Sequence, residues 1–156
     1  MRLLGVLVFS ACAVFIFYEY VRSEKLRLRE YGALVSLLMH VEGEVSEGGR
    51  ALSEALRCFG KGDGSTEPLK QAILSADAEK MRCEMPETDI CDLNIISELI
   101  SGRAASSAKE EGERIRKVLT QINDKYAALK EGHSDKIKVA LTLLCTAIAF
   151  AFFLLA

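Results

Sequence analysis

The chain has 156 residues, of which 50% are hydrophobic, and a formal net charge of −2 at pH 7. Acidic and basic residues are mixed along its polar part, which excludes the strong basic field of nucleic-acid-binding proteins. The 5 cysteines form no C-x-x-C pair and no common zinc spacing, so we expect reduced thiols and no disulfide framework.

The first element is an uncharged apolar run from Leu3 to Tyr18, which Tyr20 and Val21 extend. A helix needs about 20 apolar residues to cross a bilayer core, so we predict a transmembrane helix over residues 1–21. A cleaved signal peptide or a lipoprotein signal is the alternative, because Ala11-Cys12-Ala13 offers a small-residue cleavage site. The apolar run continues beyond this site, which favours a retained span.

Apolar residues then recur at spacings of three to five, the pattern of a helix. They are Leu26, Tyr31, Leu34, Leu38, Val41 and Val45. The charged residues between them, including Glu30, are expected mostly on other faces. Gly48-Gly49 should end this helix, which continues from the first span because no Gly or Pro lies between Arg22 and Tyr31.

Three shorter helices are predicted next. Leu52, Ala55, Leu56 and Phe59 share one side of the first. A glycine-rich loop over residues 60–66 then lacks the order of a phosphate-binding loop. Ser65 or Thr66 should cap the second helix, which fades near Lys80 and is followed by a connection from Met81 to Thr88. Asp89 should cap the third, which Gly102 breaks.

The last predicted helix is the longest and contains no proline from Ala104 to Lys136. Its apolar stripe consists of Ile115, Val118, Leu119, Ile122, Tyr126 and Leu129. We expect it to continue into a second uncharged run, Val139–Ala156, which is about 27 Å long as a helix. The predicted fold is therefore all-α, with a small antiparallel helical bundle over residues 22–136 between transmembrane helices at 1–21 and 137–156.

Basic residues next to the two spans predict the topology. Those on the inner side are Arg22, Lys25, Arg27, Arg29, Lys125, Lys130, Lys136 and Lys138, whereas only Arg2 lies outside. This asymmetry predicts a protein of the cell membrane with its middle domain in the cytoplasm and both termini on the other side.

Catalytic signatures are not apparent in the sequence. His40 and His133 are the only histidines and lie far apart, and no metalloprotease, catalytic-triad or glycine-rich cofactor motif occurs. We therefore expect no enzymatic activity, no cofactor and no bound metal.

Short segments rich in Leu and Glu recur through the N-terminal half, namely Leu28-Arg29-Glu30-Tyr31, Leu34, Leu37-Leu38, Val41-Glu42, Glu44-Val45 and Leu52-x-x-Ala55-Leu56. Together they resemble the stage III sporulation protein AB family. That family is similar to the type II secretion F-like platform proteins and has two terminal spans around a small helical domain. The resemblance implies a non-enzymatic subunit of a secretion-like channel in endospore formation, on the mother-cell side. It also implies that the partners are a cognate secretion-type ATPase and other membrane subunits of the sporulation channel.

The residues leave other function classes open. A small two-span signalling or regulatory protein is the main alternative, and a membrane enzyme with Cys83 or Cys91 as nucleophile is a third. For the platform function, the expected partner contacts are near the helix break, because turns and their rims often carry contacts. The candidate residues are Glu42, Glu44, Arg50 and Arg57. The lipid bilayer and a second copy of the chain are further expected partners.

Overall fold

The structure, a computed structural model, describes residues 2–59, 71–73, 75–101 and 108–155. All secondary structure in these ranges is helical, which confirms the predicted all-α class. The helices are α1 (Arg2–Ser46), α2 (Leu52–Cys58), α3 (Ala78–Glu84), α4 (Ile90–Ser101) and α5 (Ala108–Leu155).

Helix α1 is continuous over 45 residues and ends just before the glycine pair, as predicted. The carbonyl oxygen of Gly43 accepts hydrogen bonds from the backbone N–H groups of Glu47 and Gly48, at 2.9 and 3.4 Å. Gly49 then has a φ of +61°, which glycine adopts without the clash that a Cβ would cause. This residue turns the chain out of α1 towards α2.

The region between α2 and α4 differs from its prediction. The proposed cap at Ser65 or Thr66 lies outside the described residues, and residues 71–73 are helical. The chain then turns at Ala76 (φ +50°), and α3 occupies half of the segment predicted as a connection. The physical reason is a local cap: the Asp77 carboxylate accepts from the N–H groups of Glu79 and Lys80, at 3.0 and 3.4 Å.

Helix α4 begins at Ile90, directly after Asp89, as predicted. The backbone carbonyl of Asp89 accepts from the N–H groups of Asp92 and Leu93, at 3.0 and 3.2 Å. Its side chain contacts Arg27 and Tyr31. The predicted break at Gly102 lies outside the described residues.

Helix α5 runs for 48 residues without interruption, so the predicted continuation of the last bundle helix into the second apolar run is confirmed. The chain divides into two compact units. One unit comprises Met1–Leu26 with Ala128–Ala156, and the other is Arg27–Ala127. The second unit lies inside the predicted middle domain of residues 22–136.

The unit Arg27–Ala127 has a hydrophobic core drawn from all five helices. Its fully buried large side chains are Tyr31, Leu34, Leu37, Val41, Val45, Ile73, Met81, Met85, Leu93, Ile96, Ile115 and Ile122. The predicted apolar stripe of α1 is well represented in this set, although Leu26 at its start is exposed. In α5, Ile115 and Ile122 are buried, whereas Val118, Leu119 and Leu129 are only half-buried.

The other unit consists of the N-terminal part of α1 and the C-terminal part of α5. Half-buried residues recur there at helical spacing, namely Ser10, Ala13, Phe17, Val21 and Glu24 on α1 and His133, Ile137, Ala140, Leu144, Ile148 and Ala151 on α5. Lys136 Nζ lies 3.4 Å from Glu24 Oε2. Most other apolar side chains of this unit are exposed, with Phe153 at 83%.

Candidate partner-binding surface

The four predicted contact residues lie around the turn between α1 and α2. Glu42 and Glu44 are half-buried near the end of α1, whereas Arg50 and Arg57 are exposed. Arg50 Nη1 forms an ion pair with the Glu44 carboxylate, and the Arg50 N–H donates to the Glu44 carbonyl at 3.2 Å. Glu42 instead accepts from Ser46 Oγ at 3.5 Å. The structure therefore brings Glu44 and Arg50 together, and no contact among the described residues joins Glu42 or Arg57 to that pair.

An open groove of about 480 Å³ runs along α1 beside this pair. We call it the α1 groove; its lining residues are Met39, His40, Gly43, Glu44, Glu47 and Gly48. The Met39 side chain is 60% exposed, whereas the His40 ring packs against Phe59 with a centroid distance of 5.4 Å. The groove thus combines one exposed apolar side chain with acidic groups at the end of a helix.

Gly43 lies inside α1, where glycine is less favourable than alanine by about 1 kcal/mol. A Cβ built at Gly43 would meet no atom of the described neighbouring residues within 4 Å. The packing of the described residues therefore does not require glycine at this position.

A network of buried polar groups lies elsewhere in the same unit and joins three helices. Asp92, in the first turn of α4, has no solvent exposure. Its Oδ2 accepts from the Tyr31 hydroxyl at 2.6 Å, and its Oδ1 accepts from Lys125 Nζ at 2.5 Å. Arg27 Nη2 lies 3.2 Å from both carboxylate oxygens of Asp89. These contacts tie the first turn of α4 to α1 and α5.

Glu30 extends the network along α1 and is only 6% exposed. Its Oε2 accepts from Thr88 Oγ1 at 2.8 Å and from the Glu87 N–H at 3.1 Å. Its Oε1 is buried and has no hydrogen-bond partner among the described residues. Burial raises the pKa of Glu30 above its usual value, although the hydrogen bonds from Thr88 and Glu87 partly oppose this effect.

The chemistry of this network is structural. Burial, together with the hydrogen bond to Asp92, raises the pKa of Tyr31 well above its usual value, so its hydroxyl stays protonated and donates. Asp92 is inaccessible to a substrate and already has two partners. We therefore assign the network to positioning α4 rather than to acid–base catalysis.

Glu30 should make stability depend on pH. Because its folded-state pKa is raised, the folded chain binds more protons than the unfolded chain between the usual glutamate pKa and the raised value. The free energy of unfolding should therefore fall as pH rises through that window. Urea unfolding of the full chain in detergent, followed by circular dichroism from pH 4 to pH 8, measures this slope.

Glu30→Gln is the matched variant, because it removes the titration and retains an oxygen that accepts from Thr88. As pH rises, the free energy of unfolding of the wild type should fall relative to that of Glu30→Gln. A difference that does not vary with pH would contradict the assignment to Glu30.

Histidines and cysteines do not form a site in the described part of the chain. No group of three or more His, Cys, Asp or Glu residues able to hold a metal occurs there. Cys83 and Cys91 are exposed free thiols.

One helix in the described residues, Lys109–Phe153 within α5, is long and apolar enough to cross a membrane. Its most apolar window has a mean hydropathy of 1.9, and none of that window is buried. The hydroxyls of Thr142 and Thr146 donate to the carbonyls of Lys138 and Thr142, both at 2.9 Å. The hydroxyls of Thr142 and Thr146 are thus hydrogen-bonded within the helix, as a bilayer core requires.

The start of the predicted first span, at Leu3 and Leu4, lies outside the residues whose side chains are described.

Comparisons with protein-family models, with curated proteins and with solved structures found no match to this chain.

Sequence reasoning missed the polar network, although one signal for it exists. Asp92 lies four residues before Ile96, and Lys125 lies three residues after Ile122, so both occupy positions of the apolar stripes. Glu30 was expected on another face and is buried, so that prediction was wrong. A charged residue at core spacing on each of several helices indicates a buried ion-pair network.

Proposed function

We propose that the chain is a non-enzymatic membrane platform subunit of a secretion-like channel that acts in endospore formation. In this proposal the chain crosses the cell membrane twice, at residues 1–21 and 137–156. Its middle domain is cytoplasmic, on the mother-cell side, and its termini are outside. The bundle serves a cognate secretion-type ATPase, and the two spans contact other membrane subunits of the channel.

The observation that carries the proposal is the placement of the residues behind the family resemblance. All of the apolar ones except the half-buried Leu28 are buried, namely Tyr31, Leu34, Leu37, Leu38, Val41, Val45, Leu52, Ala55 and Leu56. Glu30, from the same set, is held by Thr88 and Glu87. The resemblance therefore involves the residues that build the bundle, rather than a scattered surface pattern.

The membrane part of the proposal is supported by α5. Its unburied apolar section follows directly from a section that contributes Ile115 and Ile122 to the bundle core. A single continuous helix can therefore connect a packed domain to a bilayer.

Affinity purification of the full chain from membranes of the sporulating host tests the proposal. We expect a secretion-type ATPase and further channel subunits to co-purify, and deletion of the gene to block endospore formation. Normal sporulation of the deletion strain, or purification with a kinase or response regulator instead, would favour the signalling alternative.

Charge reversal tests whether the predicted contact residues serve the ATPase. Glu42→Lys combined with Glu44→Lys should reduce ATPase recovery by about tenfold, because charged residues at the rim of an interface contribute to partner recognition. The fold should persist, since the Glu44–Arg50 pair is solvent-accessible and contributes little stability. Glu113→Lys, an exposed carboxylate on α5, is the control. Unchanged ATPase recovery would remove Glu42 and Glu44 from the interface.

A further inference from the structure

The α1 groove has an opening that the described residues do not fill. Position 43 has glycine inside a helix, and a Cβ there would meet none of the described side chains within 4 Å. Met39, one helical turn earlier, lies on the same side of α1 and is 60% exposed. A flat glycine surface beside an exposed methionine allows another helix to approach the α1 backbone closely, and methionine adapts its shape to such a contact.

His40 also lines the groove, and its ring packs against Phe59 with a centroid distance of 5.4 Å. Its Nε2 atom is buried without a hydrogen-bond partner among the described residues.

The acidic character of the groove indicates which kind of occupant it would bind. The C-terminal end of a helix carries a partial negative charge, which basic residues normally compensate. The last turn of α1 has no basic residue, and Glu44 and Glu47 line the groove there. Arg50 pairs with Glu44, whereas Glu47 is exposed. The complement of this surface is a cation.

We propose that the α1 groove binds a cationic amphipathic helix of a partner protein. The apolar face of that helix lies on Met39 and crosses α1 at Gly43, and its Lys or Arg side chains contact Glu47 and the terminal carbonyls of α1. This mode follows the general way in which a groove accepts a helix. The inference rests on the proposed function only in taking the chain to be a subunit that holds protein partners.

Site-specific photocrosslinking tests the occupant directly. A benzophenone amino acid replaces Met39 in the full-length chain, expressed in the membranes of its host, and the adduct peptides are sequenced. The expected adduct is a segment of another protein with helical apolar spacing and basic residues on its polar face. Adducts only to lipid, to a second copy, or to residues 60–70 of the same chain would overturn the proposal, and so would no adduct.

Substitutions then test the two recognition features separately. Gly43→Leu blocks the close approach and Glu47→Lys reverses the charge, and each should lower the adduct yield by about tenfold. Gly132→Leu in α5 and Glu113→Lys are the matched controls, which should leave the yield unchanged. Reversing a basic residue of the crosslinked segment to Glu should restore adduct formation with Glu47→Lys. Equal losses in the control variants would overturn the proposal.

These experiments distinguish a failure of the groove inference from a failure of the platform function. If a secretion-type ATPase co-purifies while Gly43→Leu and Glu47→Lys change nothing, the groove inference fails and the platform function stands. If the adduct is a basic helix from a protein outside any secretion complex, the groove inference stands and the platform function fails.

Discussion

Asp92→Ala is expected to lower the free energy of unfolding by about 3 kcal/mol, because it removes a buried carboxylate that accepts hydrogen bonds from two side chains. Asp92 is fully buried and joins the Tyr31 hydroxyl to Lys125 Nζ. Its loss leaves the Tyr31 hydroxyl without its short hydrogen bond and removes the link between α4 and α5. Urea unfolding of the full chain in detergent, followed by circular dichroism, measures the change. Asp124→Ala is the control, because Asp124 is an exposed carboxylate on α5 and should change stability by less than about 0.5 kcal/mol.

The two ends of this ion pair should not be equivalent. The Lys125 side chain is 40% exposed, so its ammonium group can reach water when Asp92 is absent. Lys125→Met instead leaves a fully buried carboxylate with only the Tyr31 hydroxyl, and should destabilise the chain at least as much.

A double substitution distinguishes this explanation from a general sensitivity of the site. Asp92→Leu combined with Lys125→Met removes both charges and should recover most of the stability lost by Lys125→Met alone. If the double variant is less stable than either single variant, the ion pair is not the source of the effect. Local hydrogen exchange of α4 gives a second readout, because α4 is the helix that Asp92 positions.

The course of the helices was largely predictable from apolar spacing. Leu34, Leu38, Val41 and Val45 repeat at three or four residues and are buried, because the 3.6-residue period places such positions on one face of a helix. The ends of α1 and α2 were also predictable from glycines and from the change in spacing. The start of α3 was not, because the Asp77 cap is a local hydrogen-bond choice that competes with simple continuation of the preceding helix.

The polar contacts were less predictable than the helices. Periodicity assigns a residue to a face but does not identify the partner on another helix. Tyr31 and Asp92 are 61 positions apart, and Asp92 and Lys125 are 33 apart, so their contacts depend on how the helices pack. At the candidate surface, the Glu44–Arg50 pair follows from a tight turn, whereas the opening at Gly43 is visible only with neighbouring atoms in place.

The helix glycines at positions 112 and 32 should respond to substitution in opposite directions. Gly112 is buried in α5, and a Cβ there would overlap Ser46 Oγ and lie 3.5 Å from Ser46 Cβ. Gly112→Leu should therefore lower the free energy of unfolding by about 3 kcal/mol, because the added atoms must push the end of α1 away.

Gly32→Ala should instead raise the free energy of unfolding by up to about 1 kcal/mol. Its Cβ would lie at an ordinary 3.5 Å from the Tyr126 ring, and alanine is more favourable than glycine within a helix. Denaturant unfolding of the full-length variants measures both changes.

The position of Ser46 makes the Gly112 prediction specific. Only the serine side chain stands in the path of a single added methyl group, so Gly112→Ala should cost less than Gly112→Leu. Ser46→Gly should convert Gly112→Ala from a destabilising to a neutral or stabilising change, because the overlapping atoms are then gone. If Gly112→Ala has the same effect with serine or glycine at position 46, close contact between α1 and α5 at this point is not what requires the glycine.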